Sequence, residues 1–184
     1  MKFKLLLLVS TLLFSVSSFS QDKYFTKSAK IHFYSSTSLE DFEAKNKSAV
    51  CVLNTKTGSL QFSTLIKGFE FENEEMQEHF NDHYLESDKY PKSEFKGQIL
   101  NNAAVNYKKA GSYPVQVKGQ LTLHGITKEV LTSGLIKVDN KGVNSTATFT
   151  IKLADYGIKI PALAKDKIAK VVKITVNASL DPLK

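Results

Sequence analysis

The fold class predicted for this chain is all-β, an antiparallel sheet closed into a barrel, and three observations predict it. Beyond the first twenty residues the sequence falls into about eight segments in which apolar and polar residues alternate with period two. Turn residues separate these segments, so neighbours pair locally. A single stretch carries helical period, so the crossover helices that parallel strands require are missing.

Each element has its own signal. Residues 28–35 place Ala29, Ile31 and Phe33 on one face against Lys30, His32 and Tyr34 on the other. Residues 36–47 are polar and read as a long connection. A second strand, 48–54, meets a third, 58–69, across Thr55-Lys56-Thr57-Gly58, where Gly58 can supply a positive φ. Between Asn73 and Leu85, Met76, Phe80 and Tyr84 recur at i, i+4 and i+8, which predicts one short amphipathic helix between strands three and four. Asn73 is its expected N-cap, Glu74 and Glu75 suit the positive end of the helix dipole, and Pro91 stops the segment. A fourth strand, 94–100, carries Phe95 and Ile99.

After a polar loop, residues 113–123 show the best alternation in the chain, with Tyr113, Val115, Val117, Gly119, Leu121 and Leu123 facing one way. The chain turns at His124-Gly125 into strand six, 126–138, and again at Asp139-Asn140-Lys141-Gly142 into strand seven, 143–153. Strand eight, 168–180, sets Val172, Ile174, Val176, Ala178 and Leu180 on one face.

The start of the chain has a different character. Lys2 and Lys4 precede an apolar run from Leu5 to Phe14 and a serine-rich end, the pattern of a secretory signal cut after Ser20. The expected product is an exported single domain, residues 21–184, in the periplasm or outside the cell. Its one cysteine, Cys51, has no internal partner, so burial and sheet pairing must hold the fold. Without Lys2 and Lys4, 23 basic residues face 18 acidic ones, a net charge of +5. Residues 70–88 hold eight acids and no Lys or Arg, which leaves about +13 on the rest. Such a basic body is either a solvated surface or an attractor of anionic lipid headgroups or cell-wall polymers. Its lysines are dispersed through strands, which argues against nucleic acid as a partner.

Eight strands enclose an interior that side chains can just fill or that can hold one slender ligand. Small residues on the inferred inner faces (Thr64, Gly97, Gly119, Ala147, Ala178) leave both readings open. The residues expected to line an apolar channel are Phe33, Phe62, Phe95, Val115, Val117, Leu121, Phe149, Ile151, Ile174 and Val176, with Met76, His79, Phe80, His83 and Tyr84 around its entrance. A flexible hydrocarbon suits such a space, since each buried CH₂ gives roughly 0.8 kcal/mol.

The stretches MQEHFNDHYLESDKYPKSEFKGQI (76–99), YPVQVKGQLTLHGITKEV (113–130) and LADYGIKI (153–160) resemble the YceI-like, polyisoprenoid-binding family of exported bacterial proteins. The resemblance implies an eight-stranded lipocalin-like barrel whose apolar channel holds a long isoprenoid or acyl lipid, often in a homodimer, in the periplasm or outside the cell; the leading expectation is a non-enzymatic carrier or scavenger. The chain departs from the commoner pattern in HFNDHYLES and in the acidic link after strand one, Glu40, Asp41 and Glu43.

No catalytic set is expected. His79 and His83 have the i, i+4 spacing of metal ligands, but neither a third ligand nor an intervening HExxH glutamate accompanies them, so neither a metal nor another cofactor is called for. His124 beside Gly125 reads as a turn residue, because no Ser or Cys nucleophile with an oxyanion loop goes with it. Glu74, Glu75 and Glu78 share one exposed helix and cannot face each other across a glycoside. Two readings compete with a carrier: a surface or stress-response domain with a filled barrel, and an enzyme acting on an enclosed lipid.

Overall fold

The structure is a computed structural model that describes residues 22–183. Its strands are β1 (Lys23–Ser36), β2 (Asp41–Asn54), β3 (Ser59–Leu65), β4 (Lys92–Ile99), β5 (Gly111–Leu123), β6 (Ile126–Asp139), β7 (Gly142–Lys152) and β8 (Val171–Pro182). They form a closed barrel in sequence order, every pair antiparallel, and the seam closes where β1 pairs β8 through Ile31↔Val176 and Phe33↔Ile174. The expected leader, residues 1–20, lies outside the described residues.

The turns follow from their residues. Gly58 takes φ +77°, and Asn54 caps that turn by accepting from the amides of Lys56 and Thr57. His124 and Gly125 both lie at positive φ, +51° and +73°, the twist that a two-residue hairpin needs.

Three sequence expectations change. Residues 36–47 are not a long connection: the loop spans only Thr37 to Glu40, and Asp41 to Lys47 begin β2. In that stretch Phe42, Ala44 and Asn46 point inward; Ala44 and Asn46 are poor hydrophobic markers, so the period was hidden. Asn46 is buried because its amide donates to Leu65 O and its carbonyl accepts from Ser48 N. Strands three and eight are shorter than expected, β3 ending at Leu65 and β8 starting at Val171. The helix also ends early: α1 (Glu74–His79) is followed by a π-turn, Phe80–Tyr84, in which Leu85 N donates to Phe80 O at 2.9 Å. Asn73 caps α1 as expected, accepting from Met76 N at 3.1 Å.

The two barrel ends differ. The lower end carries the β2–β3, β4–β5 and β6–β7 connections and is packed solid around Ala29, Cys51, Leu53, Ile99, Val143 and Leu180. Tyr107 closes it, donating to Asn102 Oδ1 while Asn102 Nδ2 donates to Thr55 O. The upper end carries α1 and the β7–β8 connection, and its apolar side chains stand around open space.

Candidate functional site: an enclosed apolar cavity

The upper half of the barrel holds an apolar cavity of about 140 Å³. Strand register sets its walls: Phe62 pairs Phe95, Phe95 pairs Leu121, Phe149 pairs Ile174, and Ile174 pairs Phe33, so aromatic and branched side chains ring the space at neighbouring heights. The lining contains no charged side chain. Of its hydroxyls, Ser93 donates to Thr122 O and Thr132 to Thr148 O, whereas the buried hydroxyl of Thr64 has no partner.

Nine of the ten residues expected to line a channel border this cavity: Phe33, Phe62, Phe95, Val117, Leu121, Phe149, Ile151, Ile174 and Val176. Val115 does not. It faces inward, but one layer lower, among the packed residues of the lower end. Ala147 and Thr64 also border the space. Five further residues, Ile66, Phe69, Leu85, Leu153 and Ile158, roof it from connections; Ile66, Phe69 and Leu153 fall within the bounds expected for strands three and seven, whereas no alternation marks Leu85 and Ile158.

The floor is Phe95, whose ring lies over the paired Gly97 and Gly119; a Cβ on Gly119 would stand 2.5 Å from that ring and 2.6 Å from Gly97 Cα. The glycines therefore make room for an aromatic plug between the hollow and solid halves. At the other end stands Phe80, with ring centroids 4.9 Å from Phe71, 5.7 Å from Phe69 and 6.3 Å from Phe33. Beyond it lies a side chamber of about 50 Å³, bordered by Met76, Tyr84 and Phe42. Phe42, Phe71 and Met76 in turn border an outer polar pocket with Glu40, Asp41, Glu43, Glu72, Glu75 and His79. Hydrogen bonds from Ser36 and Tyr34 hold the Asp41 carboxyl below its usual range, and those from Lys45 and His32 do the same for Glu43. Of the expected entrance residues, Phe80 reaches the cavity, Met76 and Tyr84 the side chamber and His79 the outer pocket. His83 borders none of these spaces; it lies beside His79 with ring centroids 5.5 Å apart. Among the described residues no group of three or more His, Cys, Asp or Glu is placed to hold a metal ion.

One polar cluster holds the roof. His124 Nδ1 is 3.0 Å from Tyr156 O and so donates to it, while Nε2 is 2.7 Å from Glu86 Oε2. With Nδ1–H committed to a carbonyl, the second contact also needs a proton, on the ring or on the carboxyl. Tyr90 packs edge-on against the imidazole at 4.6 Å. The turn histidine thus ties the β3–β4 roof to the β7–β8 connection. Its pairing with Glu86, 38 residues away, was missed in the sequence, because nothing local signals it.

The chain is a closed up-and-down β-barrel whose upper half holds an apolar cavity without a charged lining residue. The chain belongs to the family of the YceI-like domain, whose profile matches residues 10–180. Among solved structures it is similar to a polyisoprenoid-binding domain from Saccharophagus degradans implicated in plant cell wall breakdown (TM-score 0.76, 15% identity, covering 88% of this chain and 99% of that one). It is also similar to BcnA of Burkholderia cenocepacia (0.67, 18%, 83% and 94%) and to the YCEI protein of Campylobacter jejuni (0.51, 19%, 74% and 81%). No curated protein sequence matches it significantly. These likenesses establish the fold. No helix among the described residues is long and apolar enough to cross a membrane.

Proposed function

We propose that this is an exported lipid-binding protein that holds the chain of a long isoprenoid or acyl lipid in the upper half of its barrel, as a carrier or scavenger without chemistry of its own. The observation that carries the reading is the apolar barrel cavity with no charged lining residue. An empty apolar cavity of this size stays dry and accepts a hydrocarbon. The polyisoprenoid-binding character of the Saccharophagus degradans domain supports the choice of ligand class.

Size adds a mechanical requirement. At about 30 Å³ per carbon-sized group, a water's share of liquid volume, 140 Å³ holds only about five carbons. A longer chain enters only if Phe80 swings away to join the side chamber, or Phe95 lifts from Gly97 and Gly119. Each further buried CH₂ contributes roughly 0.8 kcal/mol, so a few carbons offset one displaced ring.

Native mass spectrometry and organic extraction of the purified protein test the proposal. The expected result is a stoichiometric apolar molecule, or uptake of a fluorescent acyl probe by the stripped protein. If neither is found, the solid lower half of the barrel favours the alternative, a structural or stress-response surface domain without ligand.

A further inference from the structure

We propose that the β7–β8 connection, residues 153–170, is a docking strap for an anionic lipid bilayer. Its two sides differ in chemistry. The inner side buries Ile158 and Ile168, and Ile158 forms part of the cavity roof. The outer side carries Leu163, 98% exposed and the most exposed large hydrophobic residue among those described, within Pro161-Ala162-Leu163. Around this tip stand Lys159, Lys165, Lys167 and Lys170, with Asp166 the one acid between them. Lys167 pairs with Glu40 at 3.4 Å, which ties the strap to the β1–β2 loop and its own exposed Leu39. The strap is fixed from below where Ala169 N donates to Ser35 Oγ at 3.0 Å, and Ile168 N donates to Ala164 O within the strap itself.

An apolar tip set in lysines matches an anionic membrane interface, where hydrocarbon enters beneath the headgroups and ammonium groups meet phosphates. Charge also sets the orientation. The acidic segment 70–88, with its eight carboxylates, covers the other part of the same barrel end and is repelled from an anionic surface. A second copy of the chain is a poor occupant, because a two-fold contact through the strap would set its lysines against themselves. Docking places the bilayer one segment's thickness from the cavity roof.

The test uses the chain from residue 21 onward, which contains the whole closed barrel, and co-sedimentation with phosphatidylcholine vesicles with or without one quarter phosphatidylglycerol. Binding is expected only with phosphatidylglycerol and should fall away between 20 mM and 0.5 M salt, as exposed charges become screened. Replacing Lys159, Lys165 and Lys170 by Gln should weaken it at least tenfold, at about fivefold per lysine. Leu163→Asp should weaken it as well, whereas replacing Lys109, Lys137 and Lys141 at the opposite end should leave it unchanged. Equal binding to both vesicle types, equal loss from the two lysine sets, or a Leu163→Asp variant that binds like the parent overturns the proposal. So does a dimer in sedimentation velocity that Leu163→Asp dissolves. Docking is read on vesicles and cavity loading by extraction, so failure of one is distinct from failure of the other.

Discussion

Ala147→Leu is the substitution that separates a hollow barrel from a filled one. Ala147 borders the cavity, with Gly134 and Val176 as its cross-strand partners. A void of 140 Å³ costs the empty protein about 3 kcal/mol at roughly 24 cal/mol per Å³. Leucine adds three carbons to alanine, which fill about 90 Å³ at roughly 30 Å³ each. Three newly buried groups give about 2.4 kcal/mol, and fixing the side chain returns about 0.5–1 kcal/mol of it. The expected net gain is about 1.5 kcal/mol, or about 3–6 °C in Tm for a chain of this length. The remaining space is too small for five carbons, so uptake of an acyl probe should weaken at least tenfold. Thermal unfolding followed by circular dichroism, paired with probe titration, reads both effects.

Gly134→Ala is the control in the same layer. Its Cβ would stand 2.9 Å from Thr146 O, a backbone atom that cannot give way, so that variant should lose stability. An Ala147→Leu protein that melts lower than the parent, or that binds the probe with unchanged affinity, would refute the claim that this space exists and is where the lipid chain lies.

Gly119→Ala drives a Cβ into the Phe95 ring and the β4 backbone, and should cost about 2–3 kcal/mol, seen as a lower urea midpoint with an unchanged slope. His124→Ala removes both bonds of the roof clamp and the seat of Tyr90; about 2–3 kcal/mol should be lost, with amide exchange at Ser87, Tyr90 and Gly157 accelerating more than that of lower-end strands. Burial pushes the Cys51 thiol from its ordinary 9.0 to about 12, so the folded state keeps a proton that the unfolded chain releases. The contribution is complete below pH 9 and declines as pH rises from 9 towards 12, by up to about 1.4 kcal/mol per pH unit. Stability measured against pH should therefore fall less steeply in this window for Cys51→Ala than for the parent.

Alternation shows which way a side chain points but not how high on the barrel it sits, and the fate of Val115 follows from that. Val115 and Val117 share a face of β5, yet only Val117 reaches the cavity, because height depends on register across the sheet. The strands with strong apolar periods, β5 and β7, were legible almost to their ends. The first half of β2 was not, since its inner positions hold Ala44 and Asn46 in place of large apolar residues. In the helix, the spacing of Met76, Phe80 and Tyr84 suggested one regular stripe. The π-turn instead brings Phe80 and Leu85, five apart, to the cavity, leaving Met76 and Tyr84 at the side chamber.

The roof explains why the three stretches that carry the family resemblance are informative at all. Glu86 belongs to the first, His124 to the second and Tyr156 to the third, and one imidazole joins them. A cavity wall asks only for apolar bulk, which many sequences supply and which changes freely between Val, Ile, Leu and Phe. The clamp asks for more: a ring donor aimed at one carbonyl, a carboxylate within 2.7 Å, and two non-glycine residues at positive φ, Glu86 at +44° and His124 at +51°. Substituting wall residues should accordingly tune which chain fits, while substituting the clamp should loosen the roof for every ligand alike.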